Sequence, residues 1–479
     1  MPRMLLRIVF LQVSLFILIL ECFQLNAVGA DIKVSPSGHY FTYHGKTRML
    51  LGESATQCPM QNLNFNYNAW VNRLALENHS TAHIWAFIAP RQIRDNIQIE
   101  SRWGYVYPGI TPWKRKSSGP NAYDGNKQWD LFSFDDGIDP NKNYWPRLKD
   151  ICQKLQSQNM LLGISVFFGW PKLYEDILFH PFYTLNGGHA TCREDITFIS
   201  DPGKEIHSET WNDSWPPRKK SQWLWEKFAL KLIQETSSCD NVWFDFRDEW
   251  SYNNETNLEG HFRDFFKRRG QIWADTTPYA DFRTANPDVP PFGKTPTMKT
   301  EGEPYDDNGV RNDVWMLATS SIHFVLHNDA RPNGVSGWDA KTALIKKIDI
   351  NKDLGRKYVG LASKFFNQFV KDLDSMLPSN HLVTGGSCLA AKKKEYVVYL
   401  ELGGQVQLNL LDATNIKFNA KWYNTSNGHS EFDRVVTGGS LQTFNAPSSE
   451  PWVLHVVSQE IDDSEPLAPY ALSILISDD

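Results

Sequence analysis

Between residues 31 and about 379, short apolar runs alternate with stretches in which apolar residues recur every three or four positions. The short runs predict strands at Arg48–Gly52, His83–Phe87, Leu161–Phe168, Val242–Phe246, Gln271–Asp275, Thr297–Thr300 and Ile322–Leu326. The longer period predicts a helix over Tyr144–Gln156, where Trp145, Leu148, Ile151, Cys152 and Leu155 share one face. Trp223–Ile233 and Phe262–Lys267 have the same period. A long helix is predicted from Gly355 to Leu377, burying Leu361, Phe365, Phe369 and Leu373 and stopped by Pro378. Strands alternating with helices place residues 31–379 in the α/β class with a mostly parallel sheet. From 380 to about 460 no helical period survives. Glu395–Leu400, Val406–Leu410, Lys417–Tyr423 and Pro451–Val457 follow one another at short spacing, which predicts a small all-β sandwich. The remaining 461–479 form an acidic tail with an apolar patch at Leu467–Ile476.

The chain start changes the picture of where the fold begins. Arg3 and Arg7 precede the apolar run Ile8–Leu20, and Val28-Gly29-Ala30 supplies small residues before Asp31. That order predicts a cleaved secretory signal over 1–30, hence a secreted, periplasmic or otherwise extracellular protein with no integral span after cleavage. Removing the segment takes away Arg3, Arg7 and Glu21 and shifts the net charge from −6 to −7. An acidic chain with no basic block argues against a nucleic-acid partner. Five cysteines then remain, Cys58, Cys152, Cys192, Cys239 and Cys388, too widely spaced for a zinc ribbon or a dense disulfide framework. One or two bridges are compatible with export, and their pairing is open. Asn78, Asn212, Asn254 and Asn424 stand in Asn-x-Ser/Thr triplets.

In parallel βα architectures the ends of strands face the active site. Three predicted strands end in acid: Arg48 to Gly52 in Glu53, Asn241 to Phe246 in Asp248-Glu249, and Thr297 to Thr300 in Glu301 and Glu303. Two carboxyl groups facing across a sugar, one protonated and one ionised, are the minimum for cleaving a glycosidic bond. Helix capping, or pairing with Arg247, Arg263 or Arg311, accounts for such acids equally well, and the pattern alone leaves both readings open.

At these residues the chain resembles the (β/α)₈-barrel glycoside hydrolases of the cellulase-like clan, in particular the apiosidase-like DUF4038 group. Gln128-Trp-Asp-Leu-Phe-Ser-Phe134 with Tyr144-Trp-Pro-Arg-Leu148 is similar to that group's entry into helix 2. Gln158 to Phe168 is similar to its third strand. Asn241 to Glu249 resembles the fourth-strand pattern N-V-x-x-E-x-x-N-E. Glu301-Gly-Glu-Pro-Tyr305 with Val310-Arg311 resembles G-E-P-x-Y…V-R. Cys388 to Ala391, Glu395 to Leu400, Trp422-Tyr423 and Pro451 to Leu454 are similar to the collagen-binding-like β-domain of the same proteins, although nothing in the sequence shows collagen affinity. The resemblance implies a TIM-type barrel over 31–379 and an accessory sandwich over 380–460. It makes Glu249 the acid/base and Glu303 the nucleophile, with Glu301 the alternative nucleophile two residues away. Two departures stand out. Asp248 replaces the pattern's Asn, and an ionised aspartate can only accept a hydrogen bond. Glu249 and Glu303 lie 54 positions apart, too few for two full βα units, which predicts an irregular barrel at strands five and six.

Trp85 and Trp170 follow strands two and three, Trp250 and Tyr305 follow the two acids, His327 ends strand eight, and Trp338 lies in the loop beyond. With Asp248, Glu53 and Glu301 they form the expected substrate-binding set. Core packing or capping is the competing explanation for each. No HExxH, ligand-spaced His/Asp cluster, Gly-x-Ser-x-Gly elbow or phosphate-cradling glycine loop occurs, so neither a metal nor a cofactor is expected. The expectation is a monomeric, secreted, retaining glycosidase acting on a polysaccharide or oligosaccharide. The alternative is a non-catalytic carbohydrate-binding or adhesion protein on a degenerate barrel, which only Asp248 favours.

Overall fold

The computed structural model describes residues 31–55, 58–63, 65–87, 110–166, 177–196, 205–206, 210–246, 256–275, 282–284, 295–302, 306–327 and 353–462. The signal-like segment 1–30 and the tail beyond Asp462 lie outside them. Eight parallel strands close into a barrel: β1 Leu51–Ser54, β2 Thr81–Trp85, β3 Leu161–Ser165, β4 Val242–Asp245, β5 Trp273–Asp275, β6 Phe282–Thr284, β7 Thr297–Gly302 and β8 Ile322–His327. They neighbour one another in chain order, and β8 pairs back onto β1 through Leu326–Glu53 and His327–Ser54. Helices α1 Tyr67–Leu76, α2 Tyr144–Ser157, α3 Pro217–Thr236, α4 Thr256–Lys267, α5 Asp307–Ala318 and α6 Leu354–Lys364 line the outside. Asn66, Asp306 and Asp353 cap α1, α5 and α6 by accepting from the amides of Ala69, Gly309 and Arg356.

The pattern-based expectations hold for seven strands and need one addition. β6 is only three residues long, and residues 276–281 are all that link it to β5, so the irregularity expected at strands five and six takes this form. The long helix predicted to run to Leu377 ends earlier. α6 gives way at Phe365–Phe369 to a wider π turn, and the chain turns away at Val370. Asn367, in that turn, bonds both backbone groups of Met49. The Glu395 carboxylate then accepts the amides of Lys371 and Asp372, removing the donors that further helical turns would use. Leu373 and Phe365 are buried as expected, but Pro378 sits in a short strand rather than at a helix end.

That strand, Leu377–Pro378, opens the C-terminal sheet, so the β-unit begins before residue 380. Its six strands run Leu377–Pro378, Ser387–Ala391, Glu395–Leu400, Trp452–Ser458, Lys417–Asn424 and Ser430–Thr437 in spatial order. A second pair, Gln405–Asn409 with Leu441–Asn445, makes the other layer, and Tyr396, Val398, Phe418, Trp422, Phe444 and Leu454 fill the space between. The outer face of the large sheet is also buried. Leu389, Val397, Tyr399, Tyr423 and Val453 join Val314, Trp315, Val359 and Phe365 of the barrel's helices in one apolar cluster. Trp315 stacks on Tyr399 at 6.4 Å between centroids and meets Phe365 edge-on.

At the end where the barrel strands begin, an antiparallel sheet, Lys33–Val34, Phe41–Tyr43 and Lys46–Arg48, closes the floor. Its Phe41 and Tyr43 enter a cluster with Leu161, Trp243, Ala274, Met298 and Val325 from the barrel strands. Cys152 and Cys239 form a disulfide tying α2 to the segment before β4, while Cys192 and Cys388 are free thiols.

Burial lowers the pKa of His79, His180 and His323 to about 3, so these rings are neutral in the fold. His323 Nδ1 accepts the Leu50 amide, which assigns the ring proton to Nε2, facing the His39 carbonyl. Below about pH 6.5 the unfolded chain gains protons at these histidines that the folded chain refuses, so stability falls as the pH drops towards 3. Denaturant titrations from pH 7 to pH 4 are expected to show that fall, with a shallower slope in His323→Gln.

Candidate active site

Successive residues of a strand point to opposite faces, and in this barrel the outward set is mostly apolar. Leu51, Ala82, Ile84, Leu162, Ile164, Phe244 and Leu326 pack against the helices. The inward set changes character along the axis. Near the floor it is Leu161, Trp243, Met298 and Val325. Towards the C-terminal mouth it becomes Ser54, His83, Trp85, Ser165, Asp245 and His327, each almost completely buried. The register runs Ser54–His83–Gly163–Trp243 across β1 to β4 and, one step towards the mouth, Trp85–Ser165–Asp245 across β2 to β4.

These side chains form one network. His83 Nε2 lies 2.9 Å from Asp245 Oδ2 and 3.1 Å from Ser165 Oγ, and His83 Nδ1 lies 3.4 Å from Ser54 Oγ. The imidazole stacks on the Trp243 indole at 5.5 Å and 19°. Gly163 makes that stack possible, because a Cβ there would stand 2.2 Å from the indole. At the mouth the Trp85 and His327 rings lie tilted against each other at 5.5 Å between centroids. Buried polar groups are tolerated only when bonded, so four strands are held in register by a histidine whose neighbours are all positioned for it. Sequence reasoning passed over His83, Ser165 and Asp245. Asp245 falls on the first Glu of the N-V-x-x-E-x-x-N-E pattern, which is the signal that could have found it.

Glu53 behaves differently from the expectation of a sugar contact. It sits on the outward face of β1, fully buried, and accepts from Trp70 Nε1 at 2.9 Å and from Arg356 Nε and Nη2 at 2.5 and 3.2 Å. Burial raises its pKa against the pull of the Arg356 guanidinium, which Asp353 also approaches at 3.8 Å. Glu53 therefore joins the first strand to α1 and α6. Lys299 of β7 likewise turns outward, to Asp313 on α5 at 3.4 Å. A bulge follows between Lys299 and Gly302, where the register against β8 slips. Gly302 is close-packed there, since a Cβ would stand 2.2 Å from the Phe324 ring.

Trp85 and His327 are thus placed together at the mouth. Asp248, Glu249, Trp250, Trp170, Glu303, Tyr305 and Trp338 lie outside the described residues, as does the side chain of Glu301. Their strands are placed: β4 ends four residues before Glu249 and β7 ends one residue before Glu303. Among the described residues no group of three or more His, Cys, Asp or Glu side chains could hold a metal ion, and no helix is long and apolar enough to cross a membrane.

Comparison with known proteins establishes the fold. The chain superposes on a family 5 glycoside hydrolase from Bacteroides vulgatus with a TM-score of 0.61 at 13% identity, over 92% of this chain and 97% of that one. A second structure, described as a glycoside hydrolase, matches with a TM-score of 0.60 at 12% identity over 90% and 98% of the two chains. Residues 374–457 match the family described as "Putative collagen-binding domain of a collagenase". No curated protein matches the chain in sequence.

If His83 and Asp245 act as a unit, their losses will not add. A double-mutant cycle of His83→Ala and Asp245→Ala in urea unfolding is expected to give a coupling of about 0.5–3 kcal/mol. Replacing Arg356 with Leu is expected to lower stability by about 3–5 kcal/mol by stranding Glu53.

Proposed function

We propose that the protein is a secreted retaining glycoside hydrolase that cleaves O-glycosidic bonds of a polysaccharide or oligosaccharide. The observation that carries this reading is the polar, aromatic C-terminal mouth of a closed parallel barrel, with β4 and β7 leading directly into Asp248-Glu249 and Glu303. In the closed ring β4 and β7 are separated by two strands on one side and four on the other, so their ends approach the mouth from different sides. Acids there can address a bound sugar from opposite faces. Trp85 and His327 line the buried base of that mouth, and the His83–Asp245 pair ties β4, the strand that runs on in sequence to Glu249, to its neighbours. The disulfide and the signal-like start favour an exported protein.

In the mechanism Glu249 protonates the leaving oxygen while Glu303 attacks the anomeric carbon. The carbon–oxygen bond to the leaving group breaks as the bond to Glu303 forms. Glu249, now ionised, takes a proton from water, which displaces Glu303 with the configuration retained. Asp248 places a second negative charge beside Glu249. Like charge raises a carboxyl pKa and helps hold Glu249 protonated for the first step. Trp250, Tyr305, Glu301, Trp170 and Trp338 are assigned to the substrate's surroundings.

A panel of plant, algal and microbial polysaccharides, assayed for reducing ends, tests the proposal. Wild type is expected to release sugar from at least one substrate. Glu249→Gln and Glu303→Gln are expected to lower kcat by roughly two to four orders of magnitude with unchanged thermal unfolding. Near-normal turnover in Glu303→Gln with loss in Glu301→Gln would move the nucleophile to Glu301. Binding without any turnover by wild type would favour the carbohydrate-binding alternative.

A further inference from the structure

A second surface at the mouth end of the barrel is unlike the rest of this acidic protein. The loop after β2 carries a hairpin, Trp113–Arg115 with Trp129–Phe134, and the segment after β3 leads through Trp211 and Trp215 into α3. Phe132 projects from the hairpin with 63% of its surface exposed. Its ring is not loose: Trp211 meets it edge-on at 5.3 Å between centroids and Trp223 underlies it at 6.3 Å. Trp211 and Trp223 brace each other at 5.6 Å.

Cations accompany the rings. The ammonium of Lys219 lies 4.7 Å from the Trp215 ring centroid, that of Lys220 5.3 Å from Trp211, and that of Lys227 5.4 Å from Trp223. Each is a cation–π contact, which holds the charge over a ring while leaving N–H groups for a ligand. Two nearby carboxylates bond the aromatic cluster itself and not these lysines. Asp213 accepts the Trp211 indole N–H at 2.8 Å, and Asp130 accepts from the Phe132 amide and the Ser133 hydroxyl. Lys231, further along α3, is by contrast neutralised by Asp136 and Glu235.

A fixed exposed ring offers a flat apolar face, and three ammonium groups alongside select negative charge. We propose that Phe132, Trp211, Trp215, Lys219, Lys220 and Lys227 form a binding platform for an acidic polysaccharide, one whose sugars carry carboxylate or sulfate groups. The sugar faces pack on the rings and the acidic groups meet the lysines. The inference deepens the glycosidase reading by naming the substrate class, and the platform's binding can be measured without catalysis.

Affinity gel electrophoresis of the full chain as Glu249→Gln, in gels containing polygalacturonate, alginate, a sulfated galactan or neutral glucomannan, tests it. At least one acidic polymer is expected to retard the protein, more strongly at low than at high salt. Phe132→Ala is expected to weaken that binding about tenfold, equivalent to one lost ring contact. The triple exchange of Lys219, Lys220 and Lys227 to Gln is expected to abolish the salt dependence. Circular dichroism and thermal unfolding check that both variants keep their fold. Failure of every acidic polymer to bind, or equal binding of glucomannan unaffected by the lysine exchanges, would overturn the platform. Binding that depends on the platform while wild type cleaves no polymer would leave the platform standing and remove the glycosidase reading instead.

Discussion

The hydrogen bond between His83 and Asp245 is the constraint around which the upper barrel is arranged. An imidazole buried in an apolar shell is tolerable only if its ring nitrogens are met. Ser54 and Ser165 stand beside the ring from the two neighbouring strands, and Trp243 supports its face. Gly163 follows from Trp243, because no larger residue leaves space for the indole. Six positions on four strands are thereby coupled through one contact.

The second organising feature lies outside the barrel. Trp315 on α5 is buried among Phe365, Phe366, Tyr399 and Tyr423, so the helices after β7 and β8 share their apolar faces with the C-terminal sheet. Glu395 adds a polar tie, accepting from Lys371 and Asp372 and meeting His455 at 2.6 Å. The β-unit therefore has one face committed to its own core and the other to the barrel. Its likeness to a collagen-binding family describes its fold, while here the large sheet buttresses the helices that follow the last two barrel strands.

Much of the architecture was legible in the sequence because strands of the barrel are buried on both faces and read as apolar runs. β6 was not, since three residues, Phe282 to Thr284, carry no period. The end of α6 was hidden for a different reason. Its apolar spacing continues to Leu373, but the amides beyond are captured by Glu395 from another part of the chain, a tertiary contact with no local signal. The site divides along the same line. Strand-end acids can be found by eye, but the face they occupy cannot. Glu53 and Ser54 are adjacent, and only the closed barrel shows that Ser54 is inside and Glu53 is paired with Arg356 outside. The bulge before Gly302 has the same effect on β7: Glu301 and Glu303 would share one face of a regular strand, and the register slip there breaks the alternation that would say which face.

The proposed double displacement is tested most directly by identifying the group that attacks the sugar. Incubation with a set of 2-deoxy-2-fluoroglycosides bearing a good leaving group, followed by mass spectrometry of peptide fragments, measures it. A glycosyl adduct on Glu303, absent from Glu303→Gln, is the predicted result. An adduct on another residue, or turnover of the same glycosides with no adduct and an inverted product anomer, would contradict it.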